Sequence, residues 1–178
     1  VYKLKVTPET WIISDTHFGH DNIIKHCKRP KNHDALMLRN WIKMVKKNDV
    51  ILHLGDLMVW YDFNRVTRWA QVVKHLPGRK YMILGNHDDD IPFWTTKSDW
   101  KKKTNFTLVE PFLQNQTYFS HYKNDLGLGL LNIHGHSHQH APFGVYHSPG
   151  YTYYNASIEG QNYKPKRLGD ILKEVQNA

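Results

Sequence analysis

Val50-Ile-Leu-His-Leu-Gly-Asp56 and Lys80-Tyr-Met-Ile-Leu-Gly-Asn-His-Asp88 are two mostly apolar runs, each ending on a glycine and a cluster of polar side chains. Apolar runs of that length bounded by turn residues read as buried strands, Val50–Leu54 and Lys80–Leu84. Between them, Asp62 is a suitable N-cap for a helix over Phe63–Leu76, closed by Pro77-Gly78. Strand, helix, strand in that order argues for an α/β sheet with parallel strands.

The same pattern extends both ways. Trp11–Ser14 reads as an earlier strand, and a short helix is expected over Asn22–Lys28. In Asp34–Lys47 the apolar residues Leu38, Trp41, Ile42 and Val45 have the spacing of an amphipathic helix. Thr117–Ser120, Leu130–Ile133 and Tyr151–Tyr154 are later strands, and Arg167–Val175 is a closing helix. The second half has few helices, so a mixed sheet or two packed sheets fits better than a doubly wound fold. No repeat or linker divides the chain, and residues 1–178 are expected to form a single domain without a cap domain.

Composition narrows the function classes. With 178 residues, 40% apolar, and 7 Phe, 6 Trp and 10 Tyr, a disordered chain is excluded. Cys27 is the single cysteine, so no intrachain disulfide and no cysteine-based zinc site can form, and a reducing compartment is the default. Val1–Trp11 has no apolar run of signal-peptide length, and no 18 consecutive apolar residues occur, so a cytoplasmic protein without a membrane partner is expected. Val1 in place of Met suggests a processed or trimmed start. The formal charge of +8 favours anionic partners. Lys43, Lys46 and Lys47, late in a helical stretch, and the run Lys101–Lys103 read as solvated faces. The unusual number is 13 histidines.

Several of those histidines gather at strand ends, where open α/β sheets bind ligands. The clusters are Asp15-Thr-His17, Gly55-Asp56, Gly85-Asn-His-Asp88, Ser120-His121 and His134-Gly-His-Ser-His138. Asp15 and His17 are two apart, which puts both side chains on one side of an extended segment, and His136 and His138 repeat the spacing. With Asp56, Asn86 and His121 they make a nitrogen and oxygen donor set suited to Mn, Fe, Co, Ni or Zn. Seven ligands are too many for one tetrahedral ion and about right for two that share a carboxylate. Such ions, roughly 3.5–4 Å apart, clamp a phosphoryl oxygen and generate a hydroxide nucleophile. The glycines before Asp56, Asn86 and His136 allow sharp turns or positive φ beside the ligands.

These blocks resemble the calcineurin-like metallophosphoesterase superfamily, from about Trp11 to the closing helix. Asp15-Thr-His-Phe-Gly-His20-Asp-Asn22, Arg29-Pro30, His53-Leu-Gly-Asp56 and Asn155-x-Ser-Ile-Glu159 are closest in look to small bacterial and phage phosphoesterases. The resemblance implies an α/β/β/α sandwich: two face-to-face mixed β-sheets flanked by helices. It implies two divalent metal ions, with manganese favoured. Asp15, His17 and His138 would hold one ion, Asn86, His121 and His136 the other, and Asp56 would bridge them. His87 would face the phosphoryl group, Asp88 would orient His87, and a bridging hydroxide would attack phosphorus in line with the leaving oxygen. The setting implied is the cytoplasm of a bacterial or phage-infected cell.

The chain departs from one branch of that superfamily. Protein phosphatases and diadenosine polyphosphatases carry Gly-Asp-x-x-Asp-Arg-Gly, whereas this chain has Gly55-Asp-Leu-Met-Val-Trp-Tyr61. Without those arginines to clamp a doubly charged phosphate, a phosphodiesterase acting on small or nucleotide-like diesters is favoured over a phosphomonoesterase, and a phosphomonoesterase or nuclease with the same metal core is the alternative. A nucleic-acid-binding module with a non-catalytic metal site is the rival from another class. The partner is a phosphoester, with nucleotides and nucleic acid among the candidates, and the oligomeric state is open.

His20, Asn22 and Asn155 are candidate substrate contacts, with Glu159 near the site. Trp60 and Tyr61 are candidates to stack a base or to pack the rim. His134 is expected to be a hydrogen-bonded strand residue and His53 a buried one. His26, His33, His75 and His147 are expected at the surface, and Cys27 is expected to be structural.

Overall fold

A computed structural model describes residues 4–178. Residues 1–3, at the start of the stretch searched for a leader, lie outside them. The elements run β1 (Trp11–Ile13), α1 (Ile23–His26), α2 (His33–Met44), β2 (Val50–His53), α3 (Phe63–Lys74), β3 (Arg79–Met82), α4 (Asn86–Asp89), α5 (Lys97–Thr104), β4 (Phe106–Leu108), β5 (Phe112–Gln114), β6 (Thr117–Phe119), β7 (Leu131–His134), β8 (Gly144–Ser148), β9 (Tyr151–Asn155), β10 (Lys166–Arg167) and α6 (Leu168–Gln176). They form two five-stranded sheets, ordered β10-β1-β2-β3-β4 and β5-β6-β7-β9-β8.

In the first sheet β1 to β4 are parallel and β10 is antiparallel to β1. In the second, β6, β7 and β9 are parallel, with antiparallel β5 and β8 at the edges. Strand alternation sends neighbouring residues of the first sheet into different cores. Ile12, Leu52, Leu54 and Ile83 meet Phe119, Leu131, Ile133 and Tyr154 of the second sheet. Trp11, Ile13, Ile51 and Met82 belong to the core that holds Met37 and Trp41 of α2, Val66, Ala70 and Val73 of α3, and Trp100 of α5. Central parallel strands are therefore apolar on both faces, the origin of their unbroken hydrophobic runs. Leu168 and Ile171 of α6 complete the inter-sheet core.

Most boundaries agree with the sequence pattern. Asp62 caps α3 by accepting the Arg65 N–H at 2.9 Å. α2 stops earlier than its apolar spacing suggests, because Val45 turns to extended backbone, which leaves Lys46 and Lys47 beyond the helix. Lys101–Lys103 form the last turn of α5, where cations complement the helix dipole.

One buried cation holds the end of α3. Lys80 is almost fully buried, and its Nζ donates to the carbonyls of Val73, Lys74 and Leu76, each at 2.8 Å. Lys80→Met keeps the volume and strands those acceptors, so it should cost about 2 kcal/mol in a denaturant unfolding experiment. An unchanged midpoint would mean that water reaches the carbonyls instead.

Candidate metal centre

Each strand that ends toward the centre delivers polar residues there. β1 leads to Asp15 and His17, β2 to Asp56, and β3 into α4 with Asn86 and His87. β6 leads to His121, and β7 to His136 and His138. The ladder between β1 and β2 continues past the strands through the Asp15 N–H to the Gly55 carbonyl (3.0 Å) and the His17 N–H to the Asp56 carbonyl (3.0 Å). This fixes the Asp-x-His segment against the Gly-Asp turn.

The backbone there is not extended. Asp15, His17, Asp56, His136 and His138 all lie in the left-handed region, with φ of 56°, 48°, 58°, 64° and 41°. The two-residue spacing therefore brings its side chains together through alternate left-handed turns, not along one side of a strand. Each such residue costs roughly 1–3 kcal/mol, and such strain persists where the surrounding fold over-determines it, most often at functional sites. The glycines divide the work. Gly55 has φ of 101°. Gly135 has no positive φ, and a Cβ there would run into Ser14 and the Asp15 carboxylate, so it serves close approach.

Four overlapping groups of potential ligands result: His17 with Asp56 and His87, Cys27 with His138 and Glu159, and two that match the expected pair of sites. The donor atoms of Asp15, His17 and His138 lie within 4.8 Å of one another, and so do those of Asp56, His121 and His136. Asp56 stands between them, its Oδ2 3.5 Å from both His17 Nε2 and His121 Nε2. Asn86 Oδ1 is 3.3 Å from His121 Nε2. The seven residues singled out in the sequence are thus brought together in one place.

Their electrostatics fit cations. His121 Nδ1 is 2.8 Å from the Leu54 carbonyl and must carry the proton, so in the neutral ring Nε2 is a lone pair. That lone pair meets Asp56 Oδ2, Asn86 Oδ1 and His136 Nδ1, the last at 3.2 Å. In the other group, His138 Nδ1 faces Glu159 Oε1 at 3.0 Å, and its Nε2 points at His17 Nε2 at 3.2 Å. Donor atoms converge in both groups, and in the metal-free fold protons separate them. Against burial, Cys27 and Glu159 raise the His138 pKa to about 10, while burial and then Asp88 and Asp15 raise that of Asp56 to about 9. A divalent ion would take the place of those protons. Burial, and then Arg29, lower the pKa of His17 well below the usual imidazole value, which favours the neutral ligand form.

His87 belongs to the same cluster. Its main-chain N–H donates to Asp56 Oδ1 at 3.0 Å, and its half-buried ring lies 5.2 Å from that of His17. Burial lowers its pKa. Asp88 does not orient it. The Asp88 carboxylate accepts the N–H groups of Asp56 (2.7 Å), Leu57 (3.0 Å) and Gly85 (2.9 Å), so it is a brace for the Gly-Asp turn.

The remaining candidates separate. His20 lies beside the centre, its ring 5.6 Å from His17 and 6.3 Å from His87, and burial brings its pKa down to about 4. Asn22 is exposed at the start of α1 with no side-chain bond. Asn155 is buried, and its Nδ2 donates to the His138 carbonyl (2.9 Å) and the Ala141 carbonyl (3.3 Å), so it braces the His138 turn and does not present itself to a ligand. His134 is a strand histidine bonded to the Tyr146 hydroxyl at 2.7 Å. His33, expected at the surface, is buried at the start of α2 beside Asp34. Trp60 packs against Phe93, and Tyr61 stays partly exposed 5.7 Å from the His20 ring.

Three supporting residues were not assigned roles from the sequence. Ser157 Oγ donates to Asp15 Oδ2 at 3.1 Å. His53 accepts the Gly55 N–H at 3.1 Å and bonds the Thr16 hydroxyl at 3.0 Å. Arg29 donates to the carbonyls of Asp15 and Thr16. Arg29 and Ser157 lie in motifs quoted for the resemblance, Arg29-Pro30 and Asn155-x-Ser-Ile-Glu159, but only proximity in the folded chain shows what each one bonds.

Among the described residues, no helix is long and apolar enough to cross a membrane. A family model described as calcineurin-like phosphoesterase matches residues 9–173. An uncharacterised protein of Methanocaldococcus jannaschii is 31% identical over 178 residues, covering 94% of this chain and 92% of that one. The gene 66 protein of Mycobacterium phage L5 is 33% identical over 86 residues, 47% of this chain and 41% of that protein. Among solved structures, a protein of unknown function from Aquifex aeolicus superposes with a TM-score of 0.66 at 27% identity, covering 92% of this chain and 97% of that one. The Pseudomonas putida nuclease MPE shares the fold at a TM-score of 0.50 and 16% identity, covering 74% of this chain and 62% of that one.

Proposed function

The chain belongs to the calcineurin-like phosphoesterase family, and on that premise we propose that it is a two-metal phosphodiesterase acting on small or nucleotide-like diesters. The observation that carries this reading is the pair of ligand groups with Asp56 between them. Asp15, His17 and His138 would hold one divalent ion and Asn86, His121 and His136 the other, with Asp56 shared. Two bound ions supply charge neutralisation at the phosphoryl oxygens and a water acidic enough to attack at neutral pH. The donor set has nitrogen and oxygen only, which suits manganese, iron, cobalt, nickel or zinc. Manganese is the one we expect from the resemblance.

The chain's own residues do the rest. The His121 and His138 rings are oriented by the Leu54 carbonyl and the Glu159 carboxylate. His87 stands at the rim, placed to hydrogen-bond a phosphoryl oxygen and to pass a proton to the departing oxygen. The diester preference rests on the arginines. Arg29 spends its donors on Asp15, Thr16 and Glu159. Arg65 is paired with Asp21 at 2.8 Å. Arg29 is therefore not free to clamp a doubly charged terminal phosphate, the exposed Arg65 pair is a weaker constraint, and a diester carries one charge fewer.

The test is a hydrolysis panel of diesters, monoesters, cyclic nucleotides and single-stranded DNA and RNA, with Mn, Ni, Co, Zn and Mg in parallel. Bis(p-nitrophenyl) phosphate should turn over at least about tenfold faster than p-nitrophenyl phosphate, a barrier difference of roughly 1.4 kcal/mol. Equal rates would remove the diester preference. Salt-sensitive binding of nucleic acid with no hydrolysis under any metal would replace the enzyme by a binding module.

A further inference from the structure

We propose that Arg29 and Glu159 act as one buried unit that positions the Asp15, His17 and His138 half of the centre and reaches the other half only through the His136 N–H that Asp15 accepts. This rests on reading the centre as a two-metal site. Glu159 Oε1 receives His138 Nδ1 at 3.0 Å, Arg29 Nε at 2.8 Å and Arg29 Nη2 at 2.7 Å. The same guanidinium donates through Nη1 to the Thr16 carbonyl at 2.7 Å and through Nη2 to the Asp15 carbonyl at 2.6 Å. Both side chains are buried, Arg29 wholly and Glu159 to 92%.

The chemistry follows from what each group can do. A carboxylate only accepts, so Glu159 requires a proton on His138 Nδ1, which leaves Nε2 as the metal-facing lone pair of the neutral ring. Arg29 offsets the buried negative charge that makes this possible. Its planar fork also grips the two carbonyls around Asp15 and Thr16, where the chain turns left-handed at Asp15 and His17. One arginine therefore sets the backbone under two ligands and, through Glu159, the ring of the third. Arg29 follows α1 and Glu159 follows β9, 130 residues apart, so the unit ties ligand loops of the two sheets together. The other half is held differently, since His121 is oriented by the neutral Leu54 carbonyl and the turns into Asp56 and Asn86 are braced by the Asp88 carboxylate.

That asymmetry makes the unit testable without an assay of turnover. Wild type, Glu159→Gln and Arg29→Lys would be titrated with Mn²⁺ by calorimetry, with metal counted by elemental analysis after dialysis and folding checked by circular dichroism. Wild type should bind two ions. Glu159→Gln keeps the shape but loses the charge, and one of the two ions should bind about 10–100-fold more weakly while the other is unchanged. Arg29→Lys keeps the charge but puts its donors on one nitrogen in place of the three that the guanidinium spreads over Glu159, Thr16 and Asp15, so it should weaken the same ion by less. Two ions held with wild-type affinity in both variants would overturn the proposal. So would equal weakening of both ions, or loss of the fold in both variants, each of which makes the pair general scaffolding. A wild-type chain that binds no second ion overturns the two-metal reading first, and this proposal with it.

Discussion

Asp56→Ala is expected to remove hydrolysis below detection and to weaken binding at both halves of the centre, in contrast to the one-sided effect of Glu159→Gln. Asp56 Oδ2 is equidistant, at 3.5 Å, from a histidine of each half. Its other oxygen accepts the His87 N–H. Alanine therefore takes a donor from both ions and releases the segment that carries His87. Metal affinity should fall by more than the roughly 10–100-fold typical of outer supporting residues. Elemental analysis after dialysis measures this directly. Two ions retained at wild-type affinity, or wild-type rates with metal lost, would dismiss the shared-carboxylate reading.

The same residue predicts a cost in the metal-free fold. Burial, and then the nearby Asp88 and Asp15, hold the Asp56 carboxyl well above the usual carboxylate range. Without metal, the folded chain keeps a proton there that the unfolded chain has already lost. Stability must then fall as pH rises from the ordinary carboxylate range toward the raised value. Asp56→Asn cannot ionise and should flatten this slope, leaving the smaller part contributed by Asp88, which burial raises to about 7. The metal-free variant should melt above the metal-free wild type at pH 8, with the difference closing near pH 4. Metal binding reverses the balance, because the proton must leave as the ion enters, so affinity should rise with pH.

The fold was legible where one strong pattern dominated. Trp11–Ile13, Val50–His53 and the Asp62-capped α3 follow from apolar runs and a cap, because burial on both faces leaves an unbroken hydrophobic signal. β5, β8 and β10 were not legible. They are edge strands with mixed composition, held by pairing with a neighbour and not by their own patterning. α5 carries three lysines in its last turn and only Trp100 and Thr104 as buried residues, too little apolar periodicity to be seen.

The candidate ligands were legible as a cluster because their types are scarce and their places at strand ends are repeated. What holds them was not. Asp88 sits next to His87 in the sequence, yet its carboxylate serves the amides of the neighbouring strand end. Asn155 has the look of a substrate contact and instead bonds the backbone that presents His138. The two-residue spacing of the ligands was readable, but the left-handed turns that realise it were not. Side-chain to main-chain bonds between distant segments depend on which strands lie side by side, and composition carries no record of that.

His87→Ala is expected to separate catalysis from metal binding. The ring lies near Asp56 and His17, but its main-chain N–H alone supports Asp56, and alanine keeps that bond. Both ions should therefore remain, at wild-type affinity. Turnover should fall about 10²–10⁴-fold, the usual scale for loss of a positioned proton donor, with KM little changed because the interaction is made chiefly in the transition state. The two roles open to the ring make different predictions across leaving groups. A proton donor matters most when the departing oxygen is basic, so an alkyl diester should lose far more rate than a nitrophenyl diester. A ring that only hydrogen-bonds a phosphoryl oxygen would cost both substrates alike. Loss of one ion in His87→Ala would make His87 a ligand, and unchanged rates on every diester would remove it from the chemistry.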